Sequence, residues 1–173
     1  METERLLLRN WKDEDLEGFA RLNADPDVME FFPSVLTKEE SNLLAQKIRS
    51  RIDAEGWGSW AVELKSSGEF IGVVGLQRTG SKLPFSPGVE IAWRLAKPYW
   101  GKGYATEAAL ASLYYASNVL KLTQVVSFTA VINKRSQAVM TKIGMYSDGF
   151  EFDHPDVPID SPLSRHVLYK IDL

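Results

Sequence analysis

The chain has 173 residues, of which 45% are hydrophobic and 25% are charged, and it carries a formal net charge of −3. This size predicts one globular domain, residues 1–173, and the acidic balance argues against non-specific binding of nucleic acid. A run of ~20 apolar residues, a signal-peptide pattern and cysteine are all absent, so we expect a cytoplasmic protein without disulfides or a cysteine intermediate.

The chain begins with a predicted strand and a predicted helix. Three leucines between Arg5 and Arg9 predict the strand, and the helix that follows could be capped by Asp13 or Asp15 and ends near residue 25. Phe31-Phe32 lies in the connection to the next helix. Two adjacent aromatic residues in such a connection either fill the core or line a substrate pocket, and most often they fill the core.

A second helix is predicted to begin at Thr37. Thr37 and Glu40 have the spacing of a capping box, in which each side chain bonds the backbone of the other residue. The helix runs roughly to Ala54, with an inward side formed by Leu43, Leu44, Ile48 and Ile52. Two apolar runs, 57–64 and 70–76, then flank a polar turn and predict a β-hairpin.

The most informative stretch lies between a strand and a helix in the middle of the chain. Alternation over 89–95 predicts the strand, and small residues at helical spacing predict a helix from Tyr104 to Val119. Gly101 and Gly103 lie in the turn between them. A helix start presents unpaired backbone N–H groups, and glycine lets an anion approach them closely. The turn is therefore predicted to bind a phosphate.

Two common phosphate-binding motifs do not fit this turn. A P-loop requires serine or threonine after its lysine, whereas Gly103 follows Lys102. The dinucleotide fingerprint requires a third glycine, but Thr106 stands at that position. It also requires an acidic residue about 20 positions later, and none lies near that offset. Arg94, Lys97 and Lys102 make the segment basic, which suits a polyanionic ligand; each alone would be an ordinary solvated charge.

The last third of the chain predicts a strand, a short helix and two further strands. The strand covers 124–132, the helix starts after Asn133 and ends at Gly144, and the final strands cover 146–152 and 166–171. No repeat, linker or low-complexity segment divides the chain.

Several of these segments resemble the GNAT acyl-CoA N-acyltransferases. The turn resembles the pyrophosphate-binding loop of that family, Gln/Arg-x-x-Gly-x-Gly/Ala, with Pro98 in the place of Gln or Arg. Asn133-x-x-Ser136 with Ile143-Gly144-Met145 resembles the segment after the family's fifth strand. Other segments resemble the branch that acetylates ribosomal protein N-termini, the RimJ/RimL-like branch: Thr3-x-Arg5-Leu6-x-Leu8-Arg9, Asp25-Pro26-x-Val28-Met29 and Phe70-Ile71-Gly72.

The resemblance implies a fold and an activity. The fold would be α/β (α+β), with a mixed central sheet of about seven strands and helices on both faces. The activity would be direct transfer of an acetyl group from acetyl-CoA to a primary amine, either a protein N-terminal amine or a small molecule. Coenzyme A is expected to contact Trp93, Leu95, Lys97, Trp100, Gly101, Lys102, Gly103, Tyr104, Ala105, Thr106, Asn133 and Ser136.

Ser136 and Glu90 are the candidate catalytic residues. The resemblance assigns Ser136 a hydrogen bond to the departing thiolate, although this serine could equally cap its helix. Glu90 is a candidate general base, with a salt bridge to a neighbouring strand as the alternative; Arg94, about 13 Å along the same face, is too distant for a direct pair. The acceptor amine is expected to contact Phe31, Phe32, Trp60 and His154.

The remaining expectations concern partners. His154 and His166 have no metal-ligand spacing, so no metal is expected, and a lone histidine is more commonly a hydrogen-bonded structural residue. Acetyl-CoA and an amine are the expected partners, without nucleic acid or membrane, and a homodimer is left open. The alternative function is a non-catalytic acyl-CoA-binding sensor, because Pro98 departs from the family pattern and the base is not established.

Overall fold

The computed structural model describes residues 1–173 and contains one seven-stranded sheet. Four α-helices accompany it: α1 Asp15–Ala24, α2 Lys38–Glu55, α3 Tyr104–Asn118 and α4 Lys134–Lys142. The strands are β1 Leu6–Arg9, β2 Ser59–Leu64, β3 Phe70–Arg78, β4 Val89–Leu95, β5 Gln124–Ala130, β6 Glu151–Asp153 and β7 Arg165–Asp172.

The strand order across the sheet is β1-β2-β3-β4-β5-β7-β6. Every neighbouring pair is antiparallel except β4 and β5, which are parallel. Helices α1 and α2 pack on one face and α3 and α4 on the other. The predicted mixed sheet with helices on both faces is therefore confirmed.

Most predicted elements are present, with differences at their ends. The capping box of Thr37 and Glu40 is confirmed. The predicted cap of α1 is wrong, because Glu14 occupies the cap position and the Asp15 carboxylate instead accepts two hydrogen bonds from Arg9, at 2.7 and 2.8 Å.

Two further sequence predictions differ from the structure. The strand predicted at 146–152 is present but starts later: Tyr146 forms one isolated bridge with Lys170, the chain bends at Gly149, whose φ is 83°, and β6 starts only at Glu151. Leu43, predicted to point inward, is 57% exposed.

No helix of the protein is both long enough and apolar enough to cross a lipid bilayer.

The main core lies between the sheet and its helices. Its largest fully buried side chain is Phe19 of α1, whose ring meets that of Trp11 edge to face at 4.9 Å. A second, small cluster lies under the loop between β3 and β4 and is formed by Leu83, Val126, Phe152 and Leu168. This second cluster covers the carboxyl-terminal strands on the face that carries Glu90, because Glu90 and Val126 are paired neighbours in the sheet.

Gly72 allows β3 and β4 to approach closely. Its φ is +147°, and a Cβ placed there would lie 2.2 Å from the carbonyl oxygen of Arg94 and 2.8 Å from the Cα of Leu95. Backbone atoms cannot give way as a flexible side chain can. The position of the last residues of β4 therefore depends on glycine at 72.

We predict that Gly72→Ala lowers the free energy of unfolding by about 2–6 kcal/mol, combining backbone strain with overpacking. Gly68→Ala is the matched control, because Gly68 also has positive φ but has nothing within 4 Å of the added Cβ. The control should lose only about 1–2 kcal/mol. Urea unfolding of both variants tests this, and equal losses would contradict the close approach.

Candidate active site

Strands β4 and β5 separate after a single pair of residues. Glu90 pairs with Val126, whereas β4 pairs with β3 at seven positions and β5 pairs with β7 at seven. One more contact follows, in which Ser127 Oγ donates to the carbonyl oxygen of Ile91 at 2.9 Å. Beyond this point the centre of the sheet is open.

The open edge of β4 belongs to its odd-numbered residues. The Ile91 carbonyl faces β5, whereas the N–H of Ala96 donates to Ile71 on the β3 side at 2.9 Å. Because backbone groups alternate sides along a strand, Trp93 and Leu95 present their backbone to the opening. Ala92 is exposed although it lies in a central strand, which shows that this part of the sheet face is uncovered.

The predicted phosphate turn lies at the end of this opening. A short 3₁₀ turn at Lys97–Tyr99 leads into it, and Gly101 and Gly103 have φ of 73° and 82°. No backbone N–H from 101 to 106 donates a hydrogen bond within the chain. A series of unpaired N–H groups at the positive end of a helix is suited to an anion.

Arg5 and Glu107 hold this turn in place. Arg5 Nη1 donates to the carbonyl oxygen of Lys102 at 2.9 Å, and Arg5 Nη2 lies 2.6 Å from Glu107 Oε2. The Arg5 guanidinium also lies 4.6 Å from the ring centre of Tyr104. Burial alone would raise the pKa of Glu107, but hydrogen bonds from Thr3 and Arg5 hold that pKa below its usual range. Sequence reasoning placed Arg5 only in a family-like pattern and missed this role.

A second helix N-terminus lies at the same edge of the sheet, because α4 follows β5 directly. Asn133 is buried and caps α4: its Oδ1 accepts the Ser136 N–H at 3.1 Å. Its Nδ2 donates to Thr129 Oγ1 at 2.9 Å and to Ser136 Oγ at 3.1 Å. Ser136 itself does not cap the helix, so that alternative for Ser136 is wrong.

Arg135 joins α4 to two segments across the opening. Its guanidinium lies 4.6 Å from the Trp100 ring centre and 5.3 Å from that of Phe31, and it pairs with Glu30 at 2.5 Å. Trp100 is held in turn by a 2.7 Å hydrogen bond from its Nε1 to the Leu95 carbonyl. These contacts bring the connection between α1 and α2 close to the phosphate turn.

Glu90 is a buried carboxyl group without an ion pair. It is 7% exposed, its Oε1 accepts a hydrogen bond from Gln77 of β3, and its Oε2 is buried without a partner. Burial raises the pKa of Glu90 to about 7, while the Gln77 hydrogen bond and the positive charge of Arg51 act in the opposite direction. The salt bridge considered from the sequence does not form.

Two adjoining cavities, of about 260 and 350 Å³, lie beside Gln77 and Arg78 of β3, and the larger one reaches Glu90. They share Arg51, Gln77, Arg78 and Gly80, and the larger one also has Glu90 and His154 in its wall. Burial lowers the pKa of His154, so its neutral form is favoured. A carboxyl of raised pKa and a neutral imidazole therefore lie in the wall of one cavity.

The other predicted site residues differ in burial and in the contacts that they make. Trp60 is buried in the core, where its ring meets Tyr115 of α3 at 5.3 Å, and it borders neither cavity; its contact with the acceptor stays a prediction. Leu95 is a core side chain whose carbonyl accepts the Trp100 hydrogen bond, so its backbone N–H is the group available to a ligand. Lys97 pairs with Asp27, and Lys102 lies 5.6 Å from the Tyr99 ring centre.

Phe32 is 36% exposed, so the core role considered for it is wrong. His166 is buried and its ring bonds the Ser164 carbonyl, the structural role considered for it.

Comparison with known proteins gives one consistent result. The family described as "Acetyltransferase (GNAT) domain" matches residues 5–146. The chain is 32% identical over 145 residues to the uncharacterised protein YkkB of Bacillus subtilis, covering 83% of both chains. It is 29% identical over 178 aligned positions to the FsC-acetyl coenzyme A-N(2)-transacetylase of Aspergillus fumigatus, covering 99% of this chain and 75% of that one.

A solved structure shows the same architecture. The GNAT-family acetyltransferase of Bacillus anthracis superposes with a TM-score of 0.83 at 28% identity. The match covers 99% of this chain and 97% of the other.

We predict that the stability of the protein depends on pH through Glu90. The carboxyl ionises near 4.5 when unfolded and near 7 when folded, so the wild type loses stability as pH rises through this window. Glu90→Gln removes this loss. Its free energy of unfolding, relative to wild type, should therefore rise by about 3 kcal/mol between pH 4 and pH 8. Urea unfolding at both pH values measures the difference, and a constant difference would contradict a raised pKa.

Proposed function

The chain is a member of the GNAT acetyltransferase family, and we propose that it transfers an acetyl group from acetyl-CoA directly to a primary amine. The observation that carries this proposal is the opening between β4 and β5. A free strand edge, a turn with unpaired N–H groups and a carboxyl of raised pKa all lie around it.

The residues present fit coenzyme A. The N–H groups of 101–106 would bind its diphosphate, with Lys102 as a nearby cation, and the Pro98 substitution costs a side-chain donor but none of these N–H groups. The open edge at Trp93 and Leu95 would pair with the amides of the pantetheine arm, as an added strand pairs with a sheet edge. Acetyl-CoA supplies the activated acyl group; the residues of the chain provide binding, orientation and proton transfer.

Glu90 would accept the proton of the acceptor amine. An α-amine with a pKa near ~8 transfers its proton readily to a base with a pKa of about 7, whereas a lysine side chain near ~10.4 does so much less often. Glu90 Oε2 lacks a partner and Glu90 lies in the wall of the larger cavity, so a small movement of this carboxyl would bring it to an amine or a bridging water. His154, in the same cavity wall, would contact the acceptor.

Ser136 would stabilise the departing sulfur. Its Oγ already accepts a hydrogen bond from Asn133, so its own hydroxyl hydrogen is free to donate outward. A thiol of pKa ~8.5 needs only this hydrogen bond and little protonation. The open edge of β4 supplies a backbone N–H for the acetyl carbonyl, an arrangement that stabilises negative charge during acyl transfer.

The Glu90→Gln variant tests the proposal directly. Acetyl-CoA should raise the unfolding temperature of wild type and variant alike, because the phosphate turn is unchanged. Thiol release with a panel of primary amines should fall about 10²–10⁴-fold in the variant, the range for loss of a general base. The wild-type pH profile should show a limb near pH 7 that the variant lacks.

Two outcomes would contradict the proposal. Stabilisation by acetyl-CoA without thiol release for any amine would make the protein a sensor. Failure of acetyl-CoA to stabilise the wild type at all would remove the assigned binding site.

Variants of the phosphate turn and of Ser136 separate the binding of coenzyme A from turnover. Replacing either glycine would strain the turn, so Thr106→Glu is the better probe: an acidic residue in the first turn favours the helix but repels a diphosphate. We expect it to weaken CoA binding at least about tenfold, while Tyr114→Glu, about 12 Å along the same helix, leaves binding unchanged. Ser136→Ala should keep CoA binding and lower kcat. Calorimetric titration with CoA and steady-state kinetics give both values; equal effects of the two glutamates would contradict the phosphate turn.

A further inference from the structure

Two of the buried side-chain atoms that lack a hydrogen-bond partner belong to charged residues of one strand. They are Oε2 of Glu90 and Nε of Arg94, both in β4. A buried charge without a partner is costly, and proteins keep such groups mainly where a ligand completes them. Glu90 is explained by proton transfer in the proposed function, whereas Arg94 has no role there.

Arg94 is enclosed by neutral groups. Its Nη1 donates to the Oδ1 of Asn23, a fully buried residue of α1. Its guanidinium carbon lies 4.1 Å from the ring centre of Phe32 in the connection between α1 and α2. No carboxylate lies within 4 Å of it. Burial lowers the pKa of Arg94 to about 10, and the guanidinium remains charged at neutral pH.

One nitrogen of Arg94 remains available. Nη2 has no partner in the chain and is not among the enclosed atoms, so solvent reaches it. Together with Nε, this nitrogen forms one edge of the guanidinium fork. Two parallel N–H groups in this arrangement match the two oxygens of a carboxylate.

Arg94 and Glu90 lie on either side of the uncovered part of β4. Both side chains are on the same face as that of the exposed Ala92, two residues away in each direction, because side chains alternate along a strand. Their Cα atoms are about 13 Å apart, so no direct ion pair forms. A ligand above Ala92 would therefore lie between an acid on one side and a guanidinium on the other, and Nη2 is the unpaired nitrogen of that guanidinium that solvent reaches.

The diphosphate of coenzyme A does not account for Arg94. The unpaired N–H groups that suit it belong to the start of α3, on the opposite face of the sheet from α1 and Asn23. The other arginines near the cavities differ as well: Arg78 pairs with Glu55 at 3.0 Å, and Arg51 is exposed.

We propose that Arg94 binds a carboxylate group of the acceptor, and that the acceptor is a small amine of the amino-acid type. The inference rests on the proposed function, since it places the acceptor amine between Glu90 and the thioester. The carboxylate pairs with the Nε and Nη2 edge of Arg94 beneath Phe32, and the amine faces Glu90. A polyamine would leave the guanidinium unpaired and add like charge beside it.

The test compares matched acceptors with acetyl-CoA. Free α-amino acids and their carboxamides share the side chain and the position of the amine but differ in the carboxylate. Because the carboxylate also raises the pKa of the neighbouring amine, rates are measured over a range of pH and compared per neutral amine. For the wild type, kcat/KM for the best acid should exceed that for its carboxamide at least about tenfold, the size of a charged bidentate hydrogen bond. Arg94→Met should abolish this preference by raising KM for the acid far more than KM for the carboxamide. Arg94→Lys should restore the preference partly.

Several results would overturn the assignment. The first is an equal kcat/KM of the wild type for acids and carboxamides. The second is that Arg51→Met, rather than Arg94→Met, loses the preference for acids. The third is that Arg94→Met lowers kcat/KM equally for both acceptor types and also lowers the unfolding temperature. Arg21→Met, an exposed arginine of α1, is the control for loss of a charge and should behave as wild type. Succinyl-CoA forms a further arm: if Arg94→Met affects only succinyl transfer, the carboxylate belongs to the acyl chain and the acceptor assignment is wrong.

A direct binding measurement keeps this inference separate from the proposed function. If no amine releases thiol, the proposed function fails. The thermal shift caused by amino acids in the presence of CoA then decides on Arg94. Stabilisation of the wild type by acids, but not by carboxamides, and its loss in Arg94→Met would still support the carboxylate site. Equal shifts by both would overturn it.

Discussion

The separation of β4 from β5 is the constraint on which the candidate site depends. After the pair of Glu90 and Val126, each strand keeps only its outer partner. Backbone polar groups left without partners must meet water or a ligand, because burying them unpaired is costly. The opening therefore needs a partner with hydrogen-bonding groups along its length, and the pantetheine arm proposed for it has such groups.

The parallel arrangement of these two strands also concentrates helix termini. Both strands end at the same edge of the sheet, and α3 and α4 begin there, so two positive helix ends lie close together. The turn before α3 keeps its N–H groups free because Arg5 and Glu107 hold it from outside, through the Lys102 carbonyl. Asn133 instead satisfies the start of α4 and leaves the Ser136 hydroxyl hydrogen available.

The uncovered face of β4 carries an electrostatic cost, because two charged residues there lack ionic partners. Glu90 and Arg94 are buried deeply enough to shift both pKa values towards neutrality, in opposite directions, and neither has an ionic partner. Elsewhere the protein pairs its partly buried charges, as in Arg9 with Asp15 and Glu63. This difference within one chain is the physical basis for placing the acceptor above Ala92.

The sequence by itself determined the features that depend on near neighbours. The strands, the capping box at Thr37, the predicted phosphate turn at Gly101 and Gly103, and the place of Glu90 on the strand before it follow from alternation, spacing and glycine geometry over a few residues. The mixed order of the sheet was instead implied by the resemblance to a family. The burial of Trp60 against α3, the exposure of Phe32, the bracing of the turn by Arg5, 102 residues before Glu107, and the isolation of Arg94 were decided only by the tertiary structure. These features depend on which distant segments cover a side chain, and a pattern of neighbouring residues carries no information about such packing.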